Sequence, residues 1–287
     1  MIRSNNRREF FRAGAAAAVT SSVLGGSARA AQTAPPAVRL GIASYSLREF
    51  SRLLAIQYAR QLGVNLIAVK DMHLPMGPAD QVRKGSEEFQ KAGLTITGLG
   101  VISLQEDNDD DMRRKFDYAR AAGVGMIIGA PTKTTLARME RFVREYNIKV
   151  AIHNHGPEDP HFPSPLDVLP AIQSLDARIG LCLDVGHAVR AGAKVPDAIR
   201  AAGARLFDMH IKDLARLNDD KSAVPVGDGA IPIAPIFAAL MAAGYQGQVM
   251  LEYEIDADNP VPGMMKSLAY MRGVLAGLGY RTPAQGA

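Results

Sequence analysis

The sequence predicts a single (β/α)8 barrel, on three observations. Strand-sized apolar runs alternate eight times with segments of helical periodicity. Those helical segments repeatedly stop at glycine, at Gly63, Gly93, Gly123, Gly203 and Gly244, the residue that most readily closes a helix in the left-handed conformation. Finally, the last four apolar runs each end in a side chain able to bind a divalent metal: Lys149-Val-Ala-Ile-His153, Gly180-Leu-Cys-Leu-Asp184, Arg205-Leu-Phe-Asp-Met-His210 and Gln248-Val-Met-Leu-Glu252. Parallel strands of a barrel all finish on one face, so these ends converge.

Taken in order, residues 39–43 read as the first strand and 47–62 as its helix. Residues 65–69 form the second strand, followed by a helix over 79–92 that Gly93 stops. The third strand spans 94–99. Its helix, 107–122, opens on Asp107-Asn-Asp-Asp-Asp111, a capping and acidic run suited to a helix amino end. The fourth strand is 125–129, with a helix at 133–146. After the four metal-competent strands come helices near 165–175, 194–202, 233–243 and 263–278. An open doubly wound sheet is the alternative, but it usually carries a glycine-rich first turn for a nucleotide. Here the first turn is Ala43-Ser-Tyr-Ser46.

The chain opens Asn6-Arg7-Arg8-Glu9-Phe10-Phe11-Arg12, continues without charge from 13 to 26, and reaches Ala28-Arg29-Ala30. An arginine pair, a short mildly apolar stretch and a small-x-small site describe a twin-arginine export signal over residues 1–30. The stretch is too short and weakly apolar for a membrane span. The expected organisation is therefore signal 1–30, linker 31–37, barrel 38–280 and tail 281–287, with a periplasmic or secreted location.

Removing the signal takes away five arginines and one glutamate, leaving 28 basic and 28 acidic residues, so the formal charge falls from +4 to zero. A neutral body has no general electrostatic footprint for nucleic acid. The remaining 257 residues suit one barrel domain. Cys182 is the only cysteine, which excludes an internal disulfide; its position two residues before Asp184 suits core packing near the site. Homo-oligomerisation is left open.

His153, Asp184, His210 and Glu252 are the expected ligands of one divalent ion, at separations of 31, 26 and 42 residues that each leave room for a helix. Two imidazoles and two carboxylates suit manganese, cobalt, zinc or iron. His155, in His153-Asn-His155-Gly156, reads as an acid–base or supporting residue beside the ligand. The glycine of Asp184-Val-Gly-His187 is read as a sharp turn that brings His187 over the site. Lys212 shares the inward side with His210 and can neutralise a carboxylate or an enolate, or else pair with Asp213 or Glu254. Glu252 and Glu254 have the same parity; Glu252 ends the apolar run directly and is preferred as ligand. Lys70 and His73, after the second strand, and Tyr45 and Glu254 are candidate substrate contacts. With no tryptophan in the chain, Tyr45, Phe162 and Tyr253 are the candidate sugar-stacking rings.

In Asp184-Val-Gly-His187, His210-Ile-Lys-Asp213, Gly227-Asp-Gly229-Ala-Ile-Pro232 and Leu251-Glu-Tyr253 the chain resembles the xylose-isomerase-like barrel superfamily. That superfamily holds sugar isomerases and epimerases, inosose dehydratases and the type IV apurinic endonucleases. In its ketose epimerases the four ligands are Glu, Asp, His and Glu around manganese or a similar ion; the resemblance implies the last three at Asp184, His210 and Glu252. The departure is His153, where epimerases place a glutamate. His153-Asn-His155-Gly156 is similar to the His-x-His-x-Gly of inosose dehydratases.

The leading expectation is a metal-dependent isomerase or epimerase that enolises a carbonyl beside a hydroxylated carbon in an unphosphorylated sugar or cyclitol. Glu252, His155, His187 and Lys212 are its expected catalytic groups. The alternative is a dehydratase or β-elimination lyase acting on a keto-sugar, keto-glycoside or inosose. A different class, a non-catalytic periplasmic sugar-binding protein, keeps the barrel and the metal. Neutral charge and export oppose the endonuclease reading.

Overall fold

A computed structural model of the chain describes residues 38–280. The export signal, the linker and the tail expected from the sequence lie outside the described residues. Eight parallel strands close into a barrel: β1 (Arg39–Ala43), β2 (Leu66–Val69), β3 (Thr95–Leu104), β4 (Met126–Pro131), β5 (Lys149–His153), β6 (Ile179–Asp184), β7 (Leu206–Ile211) and β10 (Gln248–Leu251). Pairing of β1 with β10, Arg39 opposite Gln248 through Ile42 opposite Leu251, closes the ring. Between β7 and β10 a small antiparallel hairpin joins β8 (Asp213–Leu214) to β9 (Ala223–Val224). The barrel is the predicted one; the hairpin was not foreseen, because two-residue strands carry no periodicity.

Around the barrel run α1 (Arg52–Gln61), α2 (Ala79–Lys91), α3 (Asp109–Ala122), α4 (Leu136–Tyr146), α5 (Pro165–Ile172), α6 (Val185–Arg190), α7 (Val195–Ala202), α8 (Ile233–Ala242) and α9 (Val261–Gly277). Among the described residues no helix is long and apolar enough to cross a membrane. The acidic start of α3 is capped by Asn108, whose Oδ1 accepts from the amides of Asp110 and Asp111 at 2.8 and 3.2 Å. Gly123 closes the same helix at φ 69°.

Several boundaries differ from expectation for local reasons. The first helix starts at Arg52 rather than at 47, because Ser51 caps it and residues Ser44–Leu47 form a separate 3-10 turn over the strand ends. Strand β3 runs to Leu104, past the predicted end at 99. Gly100 lies within the strand because a Cβ there would meet the Ile128 carbonyl oxygen at 2.2 Å; the glycine serves close strand approach. Helix α6 is additional to the helices the periodicity predicts, because a six-residue piece directly after Asp184 is too short to show a helical repeat.

Inward-facing residues along the strands form a small apolar cluster of Ala43, Leu66, Ala68, Met126, Ile128, Ala151, Cys182 and Met250. Alanines alternate there with long side chains, filling the barrel axis without a pore. A larger cluster fills the space between barrel and helices, where Phe89, Phe116, Phe142 and Phe237 are buried; each contributes on the order of 1.5–3 kcal/mol. The apolar plug ends one pleat below His153, Asp184, His210 and Glu252, which share the parity of Ala151, Cys182, Asp208 and Met250. That layer is where the packing turns polar.

Candidate metal centre

One ligand atom from each of His153, Asp184, His210 and Glu252 lies within 4.8 Å of all the others, and all four residues are buried. His153 ends β5, Asp184 ends β6 and caps α6, His210 lies on β7, and Glu252 follows β10. His153 Nε2 lies 3.2 Å from His210 Nδ1 and 3.7 Å from Asp184 Oδ2. His210 Nδ1 is 3.3 Å from Glu252 Oε1. Donors about 2.1 Å from a common centre stand about 3.0 Å apart at a right angle and about 3.4 Å apart at a tetrahedral one. The His153–His210 and His210–Glu252 edges, at 3.2 and 3.3 Å, match that spacing, and the His153–Asp184 edge is a little longer at 3.7 Å.

The electrostatics fit a cation too. Burial, then the neighbouring histidines, holds the His153 pKa well below its ordinary value, so the ring is neutral with a free lone pair. At Glu252 burial opposes charge, but Lys212 and His210 outweigh it and keep the carboxyl well below the usual range. Asp184 goes the other way: burial raises it, against the pull of Lys212. Its Oδ2 is buried and lies 3.2 Å from Lys212 Nζ without forming an aligned hydrogen bond among the described residues. Two neutral-capable imidazoles and two carboxylates converging in a buried layer are a donor set that fits one divalent ion.

Lys212 sits beside the cluster, its Nζ 2.9 Å from Glu252 Oε2 and 3.2 Å from Asp184 Oδ2 and bonded to Glu254 as well. Burial disfavours its charge, yet the three carboxylates raise its pKa well above the ordinary value. Of the two pairings expected for Lys212, Glu254 is the one found. Asp213 instead turns its carboxylate to four backbone amides, those of Leu214, Gly227, Gly229 and Ile231, and so pins the Gly227-Asp-Gly229 turn. Glu254 is exposed, and Glu252 is the glutamate in the cluster.

Gly186 corrects the reading of its motif. It does not occupy the positive-φ region; a Cβ there would meet Lys212 Cγ at 2.5 Å and Cδ at 2.6 Å. The glycine makes room for the lysine stem. His187 is brought over the site by α6 itself, whose first turn is capped by Asp184 Oδ1 accepting from the His187 amide at 2.7 Å. Burial, then the nearby Lys212 charge, lowers the His187 pKa to about 4.

His155 leans toward the cluster with its ring centroid 4.5 Å from that of His153 and 5.8 Å from that of His187. Its side chain is one-third exposed, and Nδ1 lies 3.6 Å from Asp159 Oδ2. Between the two histidines lies Asn154. Its side-chain amide donates to the Asp184 carbonyl and accepts from the Asp184 amide, both at 3.0 Å, and so ties the ends of β5 and β6 together. Nothing in the pattern marks it except its place beside a ligand.

Tyr45 and Lys70 meet at the mouth of the barrel, with Lys70 Nζ 5.1 Å from the ring centroid and Arg48 on the same ring at 5.2 Å. His73 does not join them. Its ring is fully buried, with Nδ1 3.1 Å from Ser44 Oγ and Nε2 3.2 Å from the carbonyls of Leu47 and Phe50. It is a latch for the β1–α1 loop rather than a substrate contact, since both nitrogens are occupied. Phe162 is buried in the core and Tyr253 is buried with its hydroxyl toward Asp256, which leaves Tyr45 as the accessible ring of the three. Burial pushes the Cys182 thiol up to about 12, so it packs under the ligands unionised.

A family model described as xylose isomerase-like TIM barrel matches residues 56–274. The chain belongs to that family. Within it, the inosose dehydratase of Lacticaseibacillus casei is 26% identical over 156 residues, covering 48% of this chain and 52% of that protein. This xylose isomerase-like chain thus spans about half the length of the curated relatives it matches. Among solved structures, L-ribulose 3-epimerase superposes with a TM-score of 0.69 at 17% identity, covering 84% of this chain and 95% of that one. The IolI protein, whose structure contains a zinc atom, gives a TM-score of 0.69 at 16% identity over 84% of this chain and 99% of that one. These two show a shared fold.

Proposed function

We propose that this xylose isomerase-like barrel is a metal-dependent dehydratase or β-elimination lyase acting on an unphosphorylated keto-cyclitol or keto-glycoside. The observation that carries this reading is His153 in the ligand set, which leaves Glu252 and Asp184 as the only carboxylates of the cluster. An epimerase needs a base on each face of the reacting carbon; a dehydratase needs one base and a group to assist departure of a β-hydroxyl. The dehydratase name of the sequence relatives supports the same choice.

His153, Asp184, His210 and Glu252 would hold the ion, which when bound lowers the cost of negative charge at a carbonyl oxygen beside the acidic carbon. Counting that ion as 2+, its charge and that of Lys212 balance Asp184, Glu252 and Glu254. Glu252 is a poor base, because one oxygen belongs to the ligand set and the other is held by Lys212 at 2.9 Å. His155 is the better one. Burial lowers its pKa, then the neighbouring His187 does so further, so it starts neutral; the Asp159 carboxylate stabilises the imidazolium formed when it takes the proton. Lys212 would offset the enolate charge, while Tyr45, Lys70 and Glu254 would contact the sugar at the mouth. The export signal read over residues 1–30 supports a periplasmic or secreted site of action, where unphosphorylated substrates are expected.

A second reading, isomerisation or epimerisation, keeps the same enolisation and reprotonates instead of eliminating. Incubation of the metal-loaded chain with inososes and 3-keto-glucosides in D₂O separates them. A conjugated enone with loss of water or aglycone is the expected product, and His155→Ala should lower its rate about 10²–10⁴-fold. Deuterium incorporation with the carbon skeleton and all substituents retained would replace the lyase with the isomerase. Absence of both exchange and elimination with every candidate would favour a binding protein.

A further inference from the structure

Arg190 closes α6 with its side chain 6% exposed against His187. Its Nη1 lies 3.3 Å from His187 Nδ1, and Nη2 donates to Glu158. Its Nε is buried without a partner among the described residues, an expense that packing alone does not explain. Gly156 makes the meeting possible. At φ 85°, it sits where a Cβ would lie 3.0 Å from both Arg190 Nη1 and His187 Nδ1 and 3.2 Å from Glu158 Oε2.

The direction of the contact follows from chemistry. A guanidinium has five N–H donors, no acceptor, and keeps its proton. The Arg190–His187 contact can therefore run only one way, with His187 Nδ1 accepting. A neutral imidazole whose Nδ1 accepts carries its proton on Nε2, on the edge of the ring away from Arg190.

We infer that Arg190, anchored by Glu158, is a positioning residue that locks His187 in its Nε2–H tautomer and makes it a neutral hydrogen-bond donor to a substrate oxygen. It does not act as a proton carrier: loss of the Nε2 proton would leave an imidazolate, and Nδ1 is occupied by Arg190. The catalytic consequence rests on the proposed reading of the site. There His155 moves the proton and His187 polarises the oxygen, a division of labour like that of a neutral histidine electrophile beside a separate base. The tautomer itself rests only on the geometry.

The test is long-range ¹H–¹⁵N correlation on the full chain labelled with ¹⁵N-histidine, at neutral pH with no ligand added, the His187 signals being assigned by their loss in His187→Gln. The wild type should show Nδ1 at the shift of a bare ring nitrogen and Nε2 at that of a protonated one. Arg190→Met should move both toward the average of exchanging tautomers, whereas Arg190→Lys, which still donates, should keep the wild-type pattern. A wild-type spectrum with Nδ1 protonated overturns the assignment, whatever becomes of the variants' folding. So does a folded Arg190→Met protein whose His187 shifts do not move. Failure of the elimination assay leaves this result untouched, so the two ideas fail separately.

Discussion

Replacing Asp213 with asparagine tests how the loop beside the metal centre is held. Oδ2 accepts from the amides of Gly227 at 2.9 Å and Gly229 at 3.1 Å, while Oδ1 accepts from Leu214 at 2.9 Å and Ile231 at 3.1 Å. An asparagine keeps one oxygen and turns an NH₂ group against the other two donors, so two charge-assisted bonds are lost. At about 1.5–3 kcal/mol each, the loop should lose about 3–6 kcal/mol of local stability. Hydrogen exchange read by mass spectrometry on peptides spanning 223–231 should therefore accelerate by about two to four powers of ten, with a β5 peptide as the unchanged control. Exchange within about threefold of wild type would refute the idea that Asp213 pins the turn. The packing agrees with a tight fit, since a Cβ on Gly229 would stand 2.2 Å from Asp213 Oδ1.

Gly186→Ala should cost about 1–3 kcal/mol by overpacking against the Lys212 stem and should weaken metal binding, which melting curves and metal titration would read; an unchanged protein would return Gly186 to a turn role. His73→Ala removes a ring that serves Ser44, Leu47 and Phe50, so the midpoint of denaturation should fall by an equivalent of about 2–4 kcal/mol while metal content stays the same. Loss of metal instead would return His73 to the site. Burial raises the Asp208 carboxyl from 3.8 to about 7, against the pull of His210. A raised carboxyl stabilises the fold fully below its unfolded value and ceases to do so as pH rises through the folded one, so wild-type stability should decline from about pH 4 to about pH 7 and level off above that. Asp208→Asn should abolish that decline, a difference approaching about 4 kcal/mol well above pH 7; parallel pH profiles for the two proteins would contradict it.

Strand ends were the most legible part of the sequence. Short apolar runs ending in His153, Asp184 and His210 gave both the barrel and the cluster, because strand parity carries a side chain to one face without help from distant residues. Parity could not separate Glu252 from Glu254; the direct end of the apolar run at Glu252 did, and the structure puts Glu252 in the cluster. What the pattern hid was contact between elements. His73 looked like a rim residue because three polar groups follow β2, and only the folding back of the β1–α1 loop shows that its ring is consumed by Leu47 and Phe50. Gly186 looks locally like backbone freedom, but the reason for it lies in Lys212, 26 residues on. Asn154 and Asp213 act through partners on other elements, which no local spacing encodes, and Arg190, though only three residues from His187, is anchored by Glu158 on another loop.

The measurement that bears most directly on the whole account is the metal content of the purified chain. Elemental analysis should find about one divalent ion per chain in the wild type, and less than about a tenth of that in Asp184→Asn and His210→Ala proteins that still melt cooperatively. A wild-type chain that remains metal-free after equilibration with manganese, cobalt, zinc and iron, or variants that keep a full complement, would contradict the site.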